Sequence, residues 1–471
     1  MPNQPAPTVP ARRFRFAITV PILLALIIGL VALTALIPAG QYQRVTSATL
    51  GIEVPVAGSY VATGGGLLDR IAGSDGLASK AANAFGLALF VLVIGGFFGV
   101  LTETGALNTG IARALLRLQG REVWIIPVLM GLFALGGTTF GMAGQTLAFY
   151  PLVIPLLMAA GYDALVPVAV ILLGAGVGAL GSTSNTLSTV IASAAADVAF
   201  FDGVLLRLVI LVLTSVAAAA FVMRYAARVR ADPSRSLVFD HRGANEARFL
   251  AAVAGSGTDF TATHKAVLIL SGLSFALMIW CGARGGWAMA EISGLFLAAA
   301  LIIGRVAGLG VARLLGALGR GARGFISVAL IVGLVGGIGV VIDAGRITDT
   351  LLHRAEGLVA DLQGAVFVIA VYWIEVGMSV LMPSPPDLAV LSMPVLAPFA
   401  GSAGVGRSTV VTAFATASGI ANLFTPTSAV VIGGLAIGRV PYDRWLRFIW
   451  PLLIVLSGIS MAALALEVIR D

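Results

Sequence analysis

Four short polar stretches interrupt apolar parts of this sequence, and they carry the residues whose types suit ligand chemistry. "GSTSNTLST" (181–189) lies inside an apolar region over 164–200, and "SGIANLFTPTS" (418–428) inside one over 407–438. "GGTTFGMAGQT" (136–146) and "SPPD" (384–387) break two more. Irregular backbone at membrane depth leaves N–H and C=O groups unpaired, which is tolerated only inside protein or against a water-filled cavity. A transporter uses that geometry: helix N-termini favour an anion, while unwound carbonyls and hydroxyls hold Na⁺. The residues expected to meet a substrate are Gln145, Thr146, Ser184, Asn185 and Thr186 in one half, with Ser384, Asp387, Asn422, Thr425 and Thr427 in the other. Pro426 keeps the second break from continuing as helix. Ser182, Thr183, Glu375 and Ser428 are candidates for a cation or proton site. Glu375, within "VIAVYWIEVGMSVL", has the most apolar setting of any acid. Intramembrane acids are functional hypotheses by default, although pairing with an arginine at a helix contact suits Glu375 equally. The bland reading of a single Ser or Thr is a bond back to its own helix or to a neighbour. Four breaks, paired in two halves, favour a site.

The elements that must position these residues are membrane helices. The chain has 471 residues, 59% hydrophobic and 11% charged, against about 25% charge in a soluble domain. Apolar runs recur at lengths that cross a bilayer, and they lack the alternation of barrel strands. The expected fold is an all-α polytopic membrane protein. The 58 glycines and 20 prolines are scattered through the apolar runs, which suits close helix approach and interrupted helices. One cysteine, Cys281, excludes an intrachain disulfide. His241, His264 and His353 fall in or beside expected loops, so no metal beyond Na⁺ and no redox cofactor is expected. The net charge of +7 resides in loops, which points to membrane orientation rather than to nucleic acid.

Along the chain, residues 1–83 read as an N-terminal helix near 16–37 and an extracytoplasmic polar segment. Residues 84–224 read as a first repeat, with a re-entrant hairpin over 122–160 and a broken helix over 164–200. A cytoplasmic basic loop (225–265) and linking helices with a second basic loop (266–323) follow. A second repeat covers 324–468, with a re-entrant hairpin over 363–400 and a broken helix over 407–438. "LFVLVIGGFFGVLTETGALNTG" (89–110) matches "ALIVGLVGGIGVVIDAGRITDT" (329–350): Gly96 falls on Gly336, Glu103 on Asp343 and Gly105 on Gly345. Placing most Lys and Arg in the cytoplasm puts the N-terminus inside and gives the two repeats opposite orientation. Inverted repeats with broken helices are a mark of secondary transporters.

Five segments carry a family resemblance: "GGFFGVLTETGALNTGI", "GTTFGMAGQTLAFYPLVIPLLMAAGYD", "GAGVGALGSTSNTLSTVIA", "LAVLSMPVLAP" and "NLFTPTSAVVIGGLAIGRVPYDRW". Together they resemble the YfcC-like, C4-dicarboxylate anaerobic carrier-related family of the ion transporter superfamily, over roughly 15–465. The resemblance implies an elevator-type carrier, a homodimer in the bacterial cytoplasmic (inner) membrane. It implies a C4-dicarboxylate-like carboxylate or an amino acid as substrate, with Na⁺ or H⁺ as coupling ion. Where relatives commonly have an acidic pair, this sequence has Gly144 and Gln145; where they have Asn-Pro-Phe, it has Asn185, Thr186 and Leu187. Their Ser-rich second tip is replaced here by Ser384, Pro385, Pro386 and Asp387.

The leading expectation is a secondary active transporter for such a solute. An amino-acid or peptide exchanger with a protonatable acid is the alternative among transporters. A membrane-embedded enzyme or a non-transporting subunit is the alternative from another class. An enzyme needs a nucleophile–base pair or metal ligands in its site. The sequence has no H-E-x-x-H, no G-x-S-x-G and no histidine within an apolar run.

Overall fold

The computed structural model describes residues 21, 24, 25, 27–29, 32, 37–47, 49–63, 77–117, 121–141, 143–185, 188–199, 201–251, 260–283, 287–344 and 347–470. Long apolar runs fold as helices because a helix satisfies its own backbone without water. Among the described residues, eight helices are long and apolar enough to cross a membrane, or nine if one bent pair counts as a span. The protein is a multi-span membrane protein.

The first half runs through α1 (Leu77–Glu103), α2 (Ala106–Arg117), α3 (Ile125–Phe140), α4 (Tyr150–Ala159), α5 (Leu165–Leu180), α6 (Thr189–Ala195) and α7 (Val204–Ala231). The connection holds α8 (Arg242–Phe249), α9 (Ala262–Ala283), α10 (Met289–Val306) and α11 (Val311–Arg323). The second half runs through α12 (Ile326–Ala344), α13 (Thr348–Val359), α14 (Gly364–Leu381), α15 (Pro385–Leu396), α16 (Arg407–Phe424), α17 (Ala429–Gly438) and α18 (Tyr442–Arg470). Both halves therefore order their elements alike: a long helix, an amphipathic helix, a helix pair, then a helix with a break.

The core sits on α5 and α16. Every residue of α5 from 165 to 174 is buried, as is every residue of α16 from 409 to 421. A helix that is apolar all round belongs at the centre. The two cross closely through small residues: a Cβ on Gly419 would overlap the Leu180 backbone, and one on Gly176 would overlap the Leu423 side chain.

Three expectations change. The polar segment carries four short strands, so the chain is not all-α. β1 (Gly40–Gln41) pairs antiparallel with β4 (Val61–Ala62), and β2 (Arg44–Thr46) with β3 (Glu53–Pro55). Tyr, Thr and Val among the polar residues there favour strand over helix. This strap docks on α13: the Tyr42 amide donates to Asp349 (3.2 Å), and the Tyr42 hydroxyl (2.8 Å) and Gly58 amide (3.2 Å) donate to Glu356. Tyr60 stacks on His353 with ring centroids 4.2 Å apart. The second basic loop is instead the amphipathic helix α11, whose Arg313 (2.6 Å) and Arg320 (3.1 Å) pair with Glu103 at the end of α1. The first basic loop contains α8, and α7 continues through Arg224, Arg228 and Arg230. Most of the helix expected near 16–37 lies outside the described residues, and the described positions from 21 to 32 are helical.

Candidate functional site

Each break begins where a central helix stops. α5 ends at Gly181, whose N–H still bonds back to the Val177 carbonyl (3.0 Å). The described residues Ser182–Asn185 are irregular, and helix resumes as α6 at Thr189. α16 ends at Thr425, and Pro426 prevents continuation before α17 starts at Ala429. The last carbonyls of α16 are capped from α18: Trp445 Nε1 donates to the Leu423 carbonyl (3.0 Å) and the Tyr442 hydroxyl to the Phe424 carbonyl (2.6 Å).

The helix pairs supply the rest. Thr138, in the last turn of α3, accepts from the Thr183 amide (2.9 Å) and donates to the Gly181 carbonyl (3.1 Å). The Ser184 amide donates to the Thr138 carbonyl (3.1 Å). One threonine thus satisfies three backbone groups of the first break. Its approach is set by glycines: a Cβ on Gly137 would overlap the Ala175 carbonyl oxygen, and one on Gly178 the Ala134 carbonyl oxygen. In the second half, Thr427 donates to the Val380 carbonyl in the last turn of α14 (2.6 Å), and Thr425 pairs with Thr427 (2.6 Å).

The tips between the paired helices close the site. Gly141 ends α3 with φ +65°, and its N–H returns to the Gly137 carbonyl (3.2 Å). A Cβ there would stand 2.5 Å from Asn185 Oδ1. At the other tip, Ser384 precedes α15, and Pro385 and Pro386 open the helix. Proline suits that first turn because its missing N–H would have no helical partner there.

Both tips and both breaks meet at one cavity of about 400 Å³, within the range of small-molecule sites. It is lined by Thr146 and Asn185 from the first half, and by Ser384, Asp387, Asn422, Thr427 and Ser428 from the second. Asp387 is the one charged side chain among its described lining residues. The first residues of α17, Ala429 and Val430, line it too, and no side chain of Ser428 caps that helix.

A family model for the C4-dicarboxylate anaerobic carriers (DcuC) matches residues 16–469. The chain belongs to that family. It is a membrane transporter and not an enzyme. The carrier is 33% identical over 386 residues to an "Uncharacterized protein" of Haemophilus influenzae, covering 82% of this chain and 76% of that one. It is 30% identical over 420 residues to the "Putative basic amino acid antiporter YfcC" of Escherichia coli K12, covering 86% and 80%. The solved YdaH transporter of Alcanivorax borkumensis aligns over 95% of this chain and 97% of its own, at 13% identity and a TM-score of 0.41.

Other expected residues of this carrier lie beside the cavity rather than on it. Gln145 is half-buried in the 3₁₀ turn Gly144–Phe149. Position 144 is crowded: a Cβ on Gly144 would stand 2.8 Å from Met289 Cε. Ser182 bonds to Thr189, and Thr183 and Ser184 are held by Thr138. Thr425 is buried behind Thr427. Glu375 is buried within α14, away from the cavity lining. Thr186 lies outside the described residues. Thr146 reaches the cavity but donates its hydroxyl to the Ala143 carbonyl (2.6 Å). Sequence reasoning missed Thr138, Gly141 and the Val380 carbonyl. "GGTT" before the first tip was the available signal for Thr138; a backbone carbonyl in a regular helix gives none.

The start of α5 is fixed separately. Asp163 accepts from the Val166 amide (3.1 Å), the Tyr225 hydroxyl (2.7 Å) and the Ser236 hydroxyl (2.5 Å). Burial pushes its carboxyl above the usual range, and those hydrogen bonds pull against that shift.

Proposed function

We propose that this carrier is a secondary active transporter of a small amino acid in the bacterial cytoplasmic membrane, driven by Na⁺ or H⁺. The observation that carries the reading is the polarity of the cavity. Asp387 is its one charged side chain among the described residues, and the uncapped start of α17 lines the same space. A helix N-terminus favours a carboxylate, and a carboxylate side chain favours an ammonium group. A zwitterion satisfies both. Asn185, Asn422 and Thr427 add neutral contacts. A C4-dicarboxylate brings a second anionic group, and no Lys, Arg or His is among the described lining residues to receive it. The Escherichia coli relative, named "Putative basic amino acid antiporter YfcC", shares the amino-acid class with this reading, though its name specifies a basic side chain. In it, the two halves act as inverted repeats with re-entrant helix pairs, the N-terminus is cytoplasmic, and the site moves in elevator fashion within a homodimer.

A thermal-shift panel of L-amino acids, succinate and fumarate, each with and without Na⁺, tests it on the full-length protein. An amino acid is expected to stabilise the fold, by about 2.7 kcal/mol at a hundred times its dissociation constant. Asp387→Asn should weaken that ligand by about tenfold or more, the loss of one charge-assisted contact. Stabilisation by succinate that Asp387→Asn leaves intact overturns the zwitterion reading.

A further inference from the structure

Glu375 is the acid that the cavity leaves unused. It is fully buried in α14, and neither carboxyl oxygen has a hydrogen-bond partner among the described residues. Ser392 of α15 lies beside it, with its hydroxyl donated to the Leu388 carbonyl (2.9 Å). Ser379, one turn further along α14, is equally buried, and its hydroxyl has no partner among the described residues.

The helices α13, α15, α16 and α18 pack around α14. On α13, Asp349 and Glu356 receive the strap, His353 stacks on Tyr60, and Arg354 is exposed. Asp387 of α15 faces the cavity. Arg407 of α16 donates to the Ala196 carbonyl (3.3 Å). On α18, Arg444 pairs with Asp240 and Asp443, Arg447 lies beside Phe424 and Trp450, and Glu467 and Arg470 fall in the final turn. Tyr372, on α14 itself, donates to Ser457 (3.1 Å).

An ionised carboxylate without a hydrogen-bonding or charged partner is far more costly to bury than a neutral acid. A sodium ion fits no better. Transporters hold Na⁺ with unwound carbonyls, whereas α14 is unbroken from Gly364 to Leu381. A proton needs no coordination shell. We propose that Glu375 is the proton-carrying site of this transporter, protonated in the arrangement seen here. The inference rests on the reading of the chain as an ion-coupled carrier. Release is a plain ionisation: the carboxyl O–H breaks, the proton passes to water, and a carboxylate remains. That carboxylate is untenable at its present position, so α14 must move. The carbonyl of Val380, which holds Thr427 at the cavity edge, is in the last turn of the same helix. Proton release therefore pulls on the substrate site through one rigid element.

The test needs no substrate, so it stands apart from the amino-acid reading. Full-length protein in liposomes is titrated with base while the protonated-carboxyl band is followed by infrared difference spectroscopy. The wild type is expected to lose a band that Glu375→Gln lacks from the start, and Ser392→Ala is expected to shift its midpoint. An identical band in Glu375→Gln overturns the proposal, and so does loss of the band on adding Na⁺ at fixed pH. If Glu375→Gln fails to fold, Glu375→Asp decides: a band whose frequency and midpoint both ignore it belongs to another acid. With the amino acid found by the panel, Glu375→Gln should keep counterflow exchange and lose accumulation driven by a pH gradient. Retained pH-driven accumulation overturns the assignment.

Discussion

The two helix pairs solve one problem in opposite directions. At the first break the hydroxyl belongs to the pair, as Thr138, and the break contributes backbone from Thr183 and Gly181. At the second break the hydroxyls belong to the break, as Thr425 and Thr427, and the pair contributes the Val380 carbonyl. The contacts Thr138–Thr183 and Val380–Thr425 span the same 45 residues of chain. Buried backbone groups must be satisfied, and the partner that donates is interchangeable. The packing differs as well. α3 rests on α5 through Gly137, Gly174 and Gly178, backbone against backbone, whereas a Cβ on Gly377 of α14 would meet nothing within 4 Å.

That asymmetry sets the largest expected effects. Gly137→Ala forces a methyl into the Ala175 carbonyl, which should destabilise by about 3 kcal/mol, since overpacking against backbone cannot relax by a rotamer change. Gly377→Ala should be neutral or stabilising, by up to about 1 kcal/mol from helix propensity. Thermal unfolding in detergent measures both. Equal losses at the two glycines erase the packing difference. Next comes the clamp. Thr138→Val strands the Thr183 N–H and the Gly181 C=O, an expected loss of about 2 kcal/mol. Thr427→Val should cost about 1 kcal/mol, because the Thr425 hydroxyl also reaches the Val380 carbonyl at 3.4 Å. If Thr427→Val costs more than Thr138→Val, the second clamp is the tighter one.

Much of this organisation was legible because lipid simplifies the code. Continuous apolar runs announced helices, and hydroxyls or prolines within them announced breaks, as at Ser182–Asn185 and Thr425–Ser428. Two other kinds of information were not local. Thr138 reads as one more polar residue near a tip until the chain 45 residues later is laid beside it. Gly137 and Gly377 look alike as letters, and only the neighbour facing each decides that one is obligatory and the other spare. The strap escaped because its strands are two or three residues long, too short to show a period. Gln145 and Thr146 were both expected on the cavity because they stand in one polar run, yet the 3₁₀ turn at Gly144–Phe149 brings Thr146 to it and not Gln145.

The tips extend the comparison to its smallest effects. The first depends on a glycine at positive φ, the second on proline rings at the start of a helix. Gly141→Ala meets both the left-handed backbone and Asn185 Oδ1, so it should cost about 1–2 kcal/mol. It should also reduce the ligand-induced thermal shift, since Asn185 lines the cavity. Pro385→Ala keeps a helical first turn and loses only the restriction on the unfolded chain, about 0.4–1 kcal/mol. Its expected signature is a slightly lower unfolding midpoint with the ligand-induced shift unchanged. A reduced ligand shift in Pro385→Ala would instead mean that the proline ring, which also lines the cavity, shapes binding directly. Both tips would then contribute to recognition, one through the amide behind its glycine and the other through its own ring.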